Sequence, residues 1–190
     1  MKLELKTERL SLSPLTVDDA DLAVALWTDH RVAHYNGGVV PEATIRAEMP
    51  LTTRRGADGA IGIWCISERA SGDKIGSTYL LPLPTEKDDV DYAALRSESL
   101  PDGDIELGYF LKPEAWGKGY ATEIGRQMLS FAFAAAKLNE LVAAVNADNT
   151  ASIHVLDKIG FRFDRNTVCW GSTYPLYRLS RIDWLSSEQP

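Results

Sequence analysis

Ile105-Glu106-Leu107-Gly108-Tyr109-Phe110-Leu111, then Lys112-Pro113-Glu114-Ala115, then Trp116-Gly117-Lys118-Gly119-Tyr120-Ala121-Thr122-Glu123, is the stretch that decides the fold. The first seven residues read as a strand. Lys112-Pro113-Glu114 ends it, because proline has no N–H to give a ladder. A glycine-rich bend follows, and then a helix predicted over Ala121 to Lys137. Ile124, Met128, Phe131, Ala135 and Leu138 recur at steps of 4, 3, 4 and 3, which puts them on one helix face. The first N–H groups of a helix have no partner within it and carry partial positive charge. Glycines let that backbone come close to an anion, and Lys118 adds a mobile positive charge. A pyrophosphate is the natural guest.

Two other phosphate binders fit poorly. A Walker A loop needs Gly-Lys-Ser/Thr, which Gly117-Lys118-Gly119 does not supply. A dinucleotide fingerprint needs glycine or alanine where Thr122 stands.

Working outward, Leu141 to Val145 is a short continuous apolar run, expected to be a buried, parallel strand. Asn149 caps a helix running through Lys158, and Gly160 stops it. Phe161 to Trp170 and Tyr174 to Leu179 form a hairpin around Gly171-Ser172, and the tail after Trp184 is expected to fray. Toward the N-terminus, Glu8 to Leu15 alternates as a half-buried strand. Thr16-Val17-Asp18-Asp19 then caps a helix to about Trp27, with Leu22, Ala25 and Leu26 inward. Asp29 to Tyr35 reads as helical, and a further helix runs from Pro41 to about Arg55. Ile61 to Ser67 and Lys74 to Leu83 make a hairpin. Pro84 to Gly103 is a long polar link. Its Asp88, Asp89, Asp91 and Glu98 read as a solvated loop, or more sharply as an acidic lid over a cationic amine.

Composition narrows the classes. The 190 residues fit one domain, with 45% hydrophobic and 25% charged residues. The net charge of −7 gives no basic patch for nucleic acid. No apolar run is long enough to cross a bilayer, and the alternating Met1 to Lys6 start lacks a signal-peptide core. The cytoplasm is therefore the expected location. Cys65 and Cys169 sit in apolar runs and read as buried, inert thiols. No Cys/His spacing points to a metal, and His30 and His34 lack a third ligand. Trp27 and Trp64 read as core.

Trp116 to Glu123 after Glu106 to Leu111 resembles the coenzyme A motif of the GCN5-related N-acetyltransferases. Asn149-Thr150-Ala151-Ser152 with Val155-Leu156-Asp157-Lys158-Ile159-Gly160-Phe161 resembles that family's next motif, about 30 residues on. Thr7-Glu8-Arg9-Leu10 and Tyr177-Arg178-Leu179 to Trp184 are similar to the branch holding the bacterial ribosomal-protein N-terminal acetyltransferases. The resemblance implies an α/β (α+β) fold. Its mostly antiparallel mixed sheet is splayed between the Glu106 and Leu141 strands and flanked by helices. It also implies acetyl-coenzyme A as co-substrate. Phe110 and Leu111 would offer backbone partners to the pantetheine arm. Trp116, Gly117, Lys118, Gly119, Tyr120, Ala121 and Thr122 would surround the pyrophosphate. Asn149 and Ser152 would reach the pantetheine or thioester end, and the region of His34 and Tyr35 would line the acceptor side. Two positions depart from the pattern. Trp116 replaces the usual Gln or Arg, and Leu156 replaces the tyrosine that serves many members as acid.

Acyl transfer to an amine needs a neutral nucleophile, a stabilised oxyanion and a thiolate that leaves. Glu106, beside the gap, is the candidate base, since partial burial raises a carboxyl pKa. Backbone N–H groups near Phe110 and Leu111 are the candidate oxyanion donors. Ser152 or a water is the candidate proton source for sulfur. Attack is expected to be direct, because neither cysteine has a histidine close in sequence. The acceptor is a primary amine. An α-amino group, with a pKa near ~8 against ~10.4 for lysine, needs less help from a base. A protein N-terminus therefore leads, with a small-molecule amine as the alternative. A non-catalytic coenzyme A-binding module is the reading that Leu156 favours. The sequence leaves a homodimer open.

Overall fold

The computed structural model describes residues 1–87, 89–95 and 98–187. Asp88 and the last residues of the polar tail lie outside the described residues. Strands β1 (Leu5–Lys6) and β2 (Leu10–Pro14) pair antiparallel. Two residues are too few to show a period, so no sequence pattern marks β1. In β2 the alternation holds: Leu10 and Leu12 are buried and Ser13 is exposed. The Thr16 backbone N–H donates to the Asp19 carboxylate at 2.8 Å, the reach-back half of a capping box.

Helix α1 (Ala20–Trp27) follows and buries Leu22 and Leu26. Ala25 is exposed, against expectation. The inward stripe runs through Leu22 and Leu26 with Ala23 and Trp27 beside it, which leaves Ala25 on the solvent flank. Helix α2 (His30–Ala33) is capped by Asp29, whose Oδ1 accepts the Arg31 N–H at 2.8 Å. Helix α3 (Glu42–Thr52) packs against α1. Strands β3 (Gly62–Glu68) and β4 (Lys74–Pro82) form the expected hairpin, and β5 (Ile105–Leu111) has the predicted bounds.

Helix α4 (Tyr120–Ser130) does not stay regular to Lys137. A π turn spans Phe131–Ala135, where the Ala136 N–H reaches the Phe131 carbonyl at 2.9 Å. The wider turn changes which side chains face inward. Phe133 is fully buried, and Ala135, placed inward by a strict α period, is exposed.

Then come β6 (Glu140–Ala144), α5 (Thr150–Lys158), β7 (Arg162–Cys169), β8 (Ser172–Ser180) and α6 (Arg181–Ser187). The last hairpin turns on Trp170-Gly171 rather than Gly171-Ser172, because Ser172 already pairs with Cys169. Both turn residues have positive φ, 47° and 66°, as a two-residue hairpin of matching twist requires. Residues after Trp184, expected to fray, continue α6 to Ser187. The Ser180 Oγ accepts the Asp183 N–H at 3.1 Å and so caps it.

One sheet carries all eight strands in the order β1-β2-β3-β4-β5-β6-β8-β7. Every neighbouring pair is antiparallel except β5 and β6. On one face Ile124, Met128 and Leu129 of α4 pack with Leu107, Leu141 and Phe161. On the other, Leu22 and Leu26 of α1 and Met49 of α3 meet Leu15 and Cys65. Each fully buried large apolar side chain contributes about 1.5–3 kcal/mol, so both faces hold the sheet rigid around its one weak seam.

Candidate active site

That seam is the β5–β6 pair. Strand β5 keeps seven registered partners along β4, but a single residue pair, Glu106 with Val142, along β6. Beyond it the strands diverge. The opening widens into a cleft of about 510 Å³, lined by Gly108, Tyr109 and Phe110 on one side and by Ala144, Asn146, Asn149 and Ser152 on the other.

Backbone direction sorts the β5 residues. The Lys112 N–H donates to the Ile75 carbonyl at 2.8 Å, and the Gly108 carbonyl accepts from the Thr78 hydroxyl at 2.8 Å. Even-numbered residues therefore turn their backbone toward β4, and odd-numbered ones toward the gap. Phe110 accordingly turns its backbone to β4 and not to the gap, contrary to expectation; Tyr109 and Leu111 turn theirs to the gap side, and of these two Tyr109 lines the cleft. Phe110 contributes its ring instead, against Trp27 at 4.7 Å and Tyr79 at 6.0 Å between centroids. Trp27, expected as core, is a half-buried wall of the cleft.

Glu106 is 2% exposed. Its Oε1 accepts the Ala144 N–H at 3.1 Å, and its Oε2 accepts the Tyr79 hydroxyl at 3.1 Å. Burial pushes its pKa up to about 8, and the two donors only partly oppose that rise. Tyr79, buried against this carboxyl, is held protonated well above the usual phenol range.

Helix α4 starts at the mouth of the gap. Its first intrahelical bond is from the Glu123 N–H to the Gly119 carbonyl at 3.2 Å. The N–H groups of Tyr120, Ala121 and Thr122 precede it and are open to an anion. Gly117 and Gly119 have φ of 73° and 79°. A Cβ at Gly117 would meet nothing within 4 Å, and one at Gly119 only Arg9 Nη2 at 3.6 Å. The bend is an open, glycine-walled cradle suited to a pyrophosphate.

Arg9 braces this cradle. Its Nε reaches Glu123 at 2.7 Å, its Nη1 reaches the Lys118 carbonyl at 2.9 Å, and its guanidinium lies 4.6 Å from the Tyr120 ring centre. Lys118 Nζ lies 3.6 Å from Glu68, which also accepts the Tyr120 hydroxyl at 2.8 Å. Trp116 is exposed, and its indole N–H donates to the Leu111 carbonyl at 2.8 Å. This ties the bend to the end of β5.

On α5, the Asn149 side chain accepts the Ser152 N–H at 3.1 Å and caps the helix as expected. The Tyr109 hydroxyl donates to Ser152 Oγ at 3.2 Å across the gap. Tyr35, Glu48, Asp89 and Tyr92 line the far end of the cleft, whereas His34 packs beside Tyr35 outside it. Asp91 caps the short turn Tyr92–Ala94, and among the described residues no lysine or arginine lines the cleft. Tyr79, Tyr109 and Ala144 were invisible to sequence reasoning, since each acts through a partner far along the chain. Arg9 was flagged only as part of a motif.

The two cysteines are buried and free. Burial, with Asp19 nearby, pushes Cys65 up to about 11; burial and the Glu106 charge push Cys169 up to about 12. Neither supplies thiolate at neutral pH. Among the described residues, no three His, Cys, Asp or Glu side chains gather as a metal site, and no helix is long and apolar enough to cross a membrane.

A mostly antiparallel sheet split at its one parallel pair, with a glycine cradle and helix start at the split, defines an acyl-coenzyme A N-acyltransferase fold. The family described as Acetyltransferase (GNAT) domain matches residues 9–162, and the chain belongs to it. It is an acetyl-coenzyme A-dependent N-acyltransferase. The chain is 26% identical to an uncharacterized N-acetyltransferase, p20, of Bacillus licheniformis, over 83% of this chain and 82% of that one. It is 25% identical to the FsC-acetyl coenzyme A-N(2)-transacetylase of Aspergillus fumigatus, over 98% and 80%. Among solved structures, a GNAT-family acetyltransferase from Bacillus anthracis shares the fold, with a TM-score of 0.71 at 18% identity over 94% and 99% of the two chains.

Proposed function

We propose that this chain acetylates a primary amine by direct attack on acetyl-coenzyme A, with Glu106 as general base. The observation that carries the reading is Glu106 itself: a buried carboxyl at the edge of the gap whose pKa is about 8. Once ionised, with its inflection near pH 8, such a group takes a proton from the attacking amine, directly or through one water. Acetyl-coenzyme A supplies the activated acetyl group as a thioester. Backbone N–H groups of Tyr120, Ala121 and Thr122, with Trp116, Gly117, Lys118 and Gly119 around them, hold its pyrophosphate. Leu111 and Tyr109 offer backbone partners to the arm, and Asn149 and Ser152 stand at its thioester end.

The leading acceptor is the α-amino group of a protein N-terminus. Its ordinary pKa near ~8 matches that of the base, and the resembled ribosomal-protein branch agrees with it. A second acceptor, a small amine carrying a further positive charge, is favoured by Glu48 and Asp89 in a cleft lined, among the described residues, by no lysine or arginine. Two experiments test the reading. In calorimetry acetyl-coenzyme A binds the wild type and Glu106→Gln alike, and Gly119→Trp loses it. In an acceptor screen of N-terminal peptides against small diamines, Glu106→Gln loses rate with every acceptor. Absence of acetyl-coenzyme A binding to the wild type overturns the proposal, and equal rates in Glu106→Gln overturn the role of the base.

A further inference from the structure

Arg9, just before β2, reaches across to the glycine bend and to the first turn of α4. Its Nη1 donates to the Lys118 carbonyl at 2.9 Å, and its Nε and Nη2 reach Glu123 Oε2 at 2.7 and 2.6 Å. Across the trans Lys118–Gly119 peptide, the Gly119 N–H points away from Arg9. Among the described residues, no backbone carbonyl accepts that N–H. Glu123 stands in the first turn of α4, where a carboxylate repels any other anion at the same helix start. Burial opposes its charge, but the Thr7 hydroxyl and the Arg9 donors hold its pKa below the ordinary carboxyl value, so it is ionised at neutral pH. Lys118 and Glu68 make a second ion pair at 3.6 Å. The Glu123 and Glu68 side chains are 17% and 23% exposed, those of Arg9 and Lys118 44% and 50%. The carboxylates are thus the covered partners, and the cations are the ones open to a ligand. The two pairs cancel, which leaves the partial positive charge of the helix start to set the sign of the bend. Without Arg9, a carboxylate is left uncompensated and the balance tips to negative.

Resting on the acetyl-coenzyme A reading, we propose that Arg9 sets the cofactor preference of this bend. It cancels the Glu123 charge and fixes the Lys118–Gly119 peptide plane, so the bend takes the pyrophosphate of a coenzyme A thioester in preference to a phosphate-free pantetheine thioester. Nη1 and Nη2 each retain one further N–H for a phosphate oxygen. The guanidinium is charged at every working pH, so the preference does not depend on a titration. Arg9 is thus a positioning and specificity residue that takes no part in the acyl transfer itself.

The test is calorimetry of coenzyme A, and of pantetheine, which lacks the pyrophosphate, against the purified wild type, Arg9→Gln and Glu123→Gln. Both substitutions break the same salt bridge. A bridge that only held the chain together predicts that they weaken coenzyme A alike. A charge role separates them. Arg9→Gln is expected to bind coenzyme A about tenfold more weakly, the ordinary worth of a hydrogen-bonded ion. Glu123→Gln frees the guanidinium and is expected to bind it at least as tightly as the wild type. The double variant lies between the wild type and Arg9→Gln, because it leaves no carboxylate unpaired. Pantetheine affinity is the same in every variant. Added salt weakens coenzyme A binding to the wild type, and more steeply to Glu123→Gln, a measurement that needs no Arg9 variant. Equal losses of coenzyme A in the two single variants overturn the proposal. So does an equal loss of coenzyme A and pantetheine in Arg9→Gln, or an affinity that salt does not change in the wild type and Glu123→Gln. Each of these leaves the acetyl-transfer reading intact. Failure of coenzyme A to bind the wild type removes both.

Discussion

Glu106 Oε1 accepts the backbone N–H of Ala144 at 3.1 Å, so a side chain closes the β5–β6 seam just where the strand ladder gives out. The same carboxyl borders the cleft, so the proposed role as base would add a chemical duty to this structural one. The two separate by substitution. Glu106→Gln keeps an acceptor for Ala144, whereas Glu106→Ala leaves a buried N–H unpaired at a cost of about 1–3 kcal/mol. Urea denaturation is expected to show the Ala variant less stable than the Gln variant by that amount. Equal stabilities count against the structural duty.

The proposed chemical duty predicts a pH dependence of rate. A base must be deprotonated, and burial holds the Glu106 proton until about pH 8. With an acceptor whose own amine titrates well away from this range, kcat/KM is expected to rise with pH and level off above that inflection. Glu106→Gln is expected to lie about 10²–10⁴-fold lower and to lose the inflection. An inflection surviving in Glu106→Gln assigns it to another group.

Stability carries the opposite sign. Between the ordinary carboxyl value of 4.5 and about 8, the unfolded chain has released this proton and the folded chain retains it. Raising pH through that window favours the unfolded state by up to about 1.4 kcal/mol per unit, and the effect stops once both states have lost the proton. Wild-type stability measured relative to Glu106→Gln should therefore fall from pH 4.5 to 8. A flat difference contradicts the raised pKa.

Gly108 has no room for a methyl group: a Cβ there would sit 2.1 Å from Tyr79 Cζ and 2.2 Å from its hydroxyl oxygen. Gly108→Ala must push the phenol away from Glu106. The loss of that donor raises the carboxyl pKa further, since the Tyr79 bond opposes the effect of burial. The rate inflection is expected above its wild-type position, with about 1–3 kcal/mol of stability lost to overpacking. An unmoved inflection shows that Tyr79 does not tune the base.

Direct attack predicts that the thiols are dispensable. Cys65 and Cys169 are protonated and shielded at neutral pH. The double variant Cys65→Ala, Cys169→Ala should retain wild-type kcat within a few-fold at a temperature where it is folded, with intersecting initial-rate lines. Parallel lines in the wild type, lost with either cysteine, point to an acyl-thiol intermediate instead.

Local signals carried much of this molecule. The β5 strand, the Pro113 stop and the glycine bend are adjacent in sequence and obey short-range sterics, so their bounds and the helix start after the bend were legible. Asn149 was legible as a cap for the same reason. Where neighbours decide, the period misled. Ala25 and Ala135 fit an apolar stripe but face solvent, because packing and a π turn set the inward direction. Phe110 looked like a backbone partner until the register with β4 turned its N–H and C=O away from the gap.

The sequence by itself determined the groups available: a helix start after a glycine bend, a carboxyl on the strand before it, and thiols in apolar runs. Only the tertiary structure decided what that chemistry becomes. Residue 79 reaches Glu106, residue 144 ties it across the seam, and Tyr109 meets Ser152 43 positions away. The physical reason is that a pKa and a hydrogen bond depend on what lies within a few ångströms in space. In a sheet with one split seam, those neighbours come from strands and helices that the linear order keeps apart.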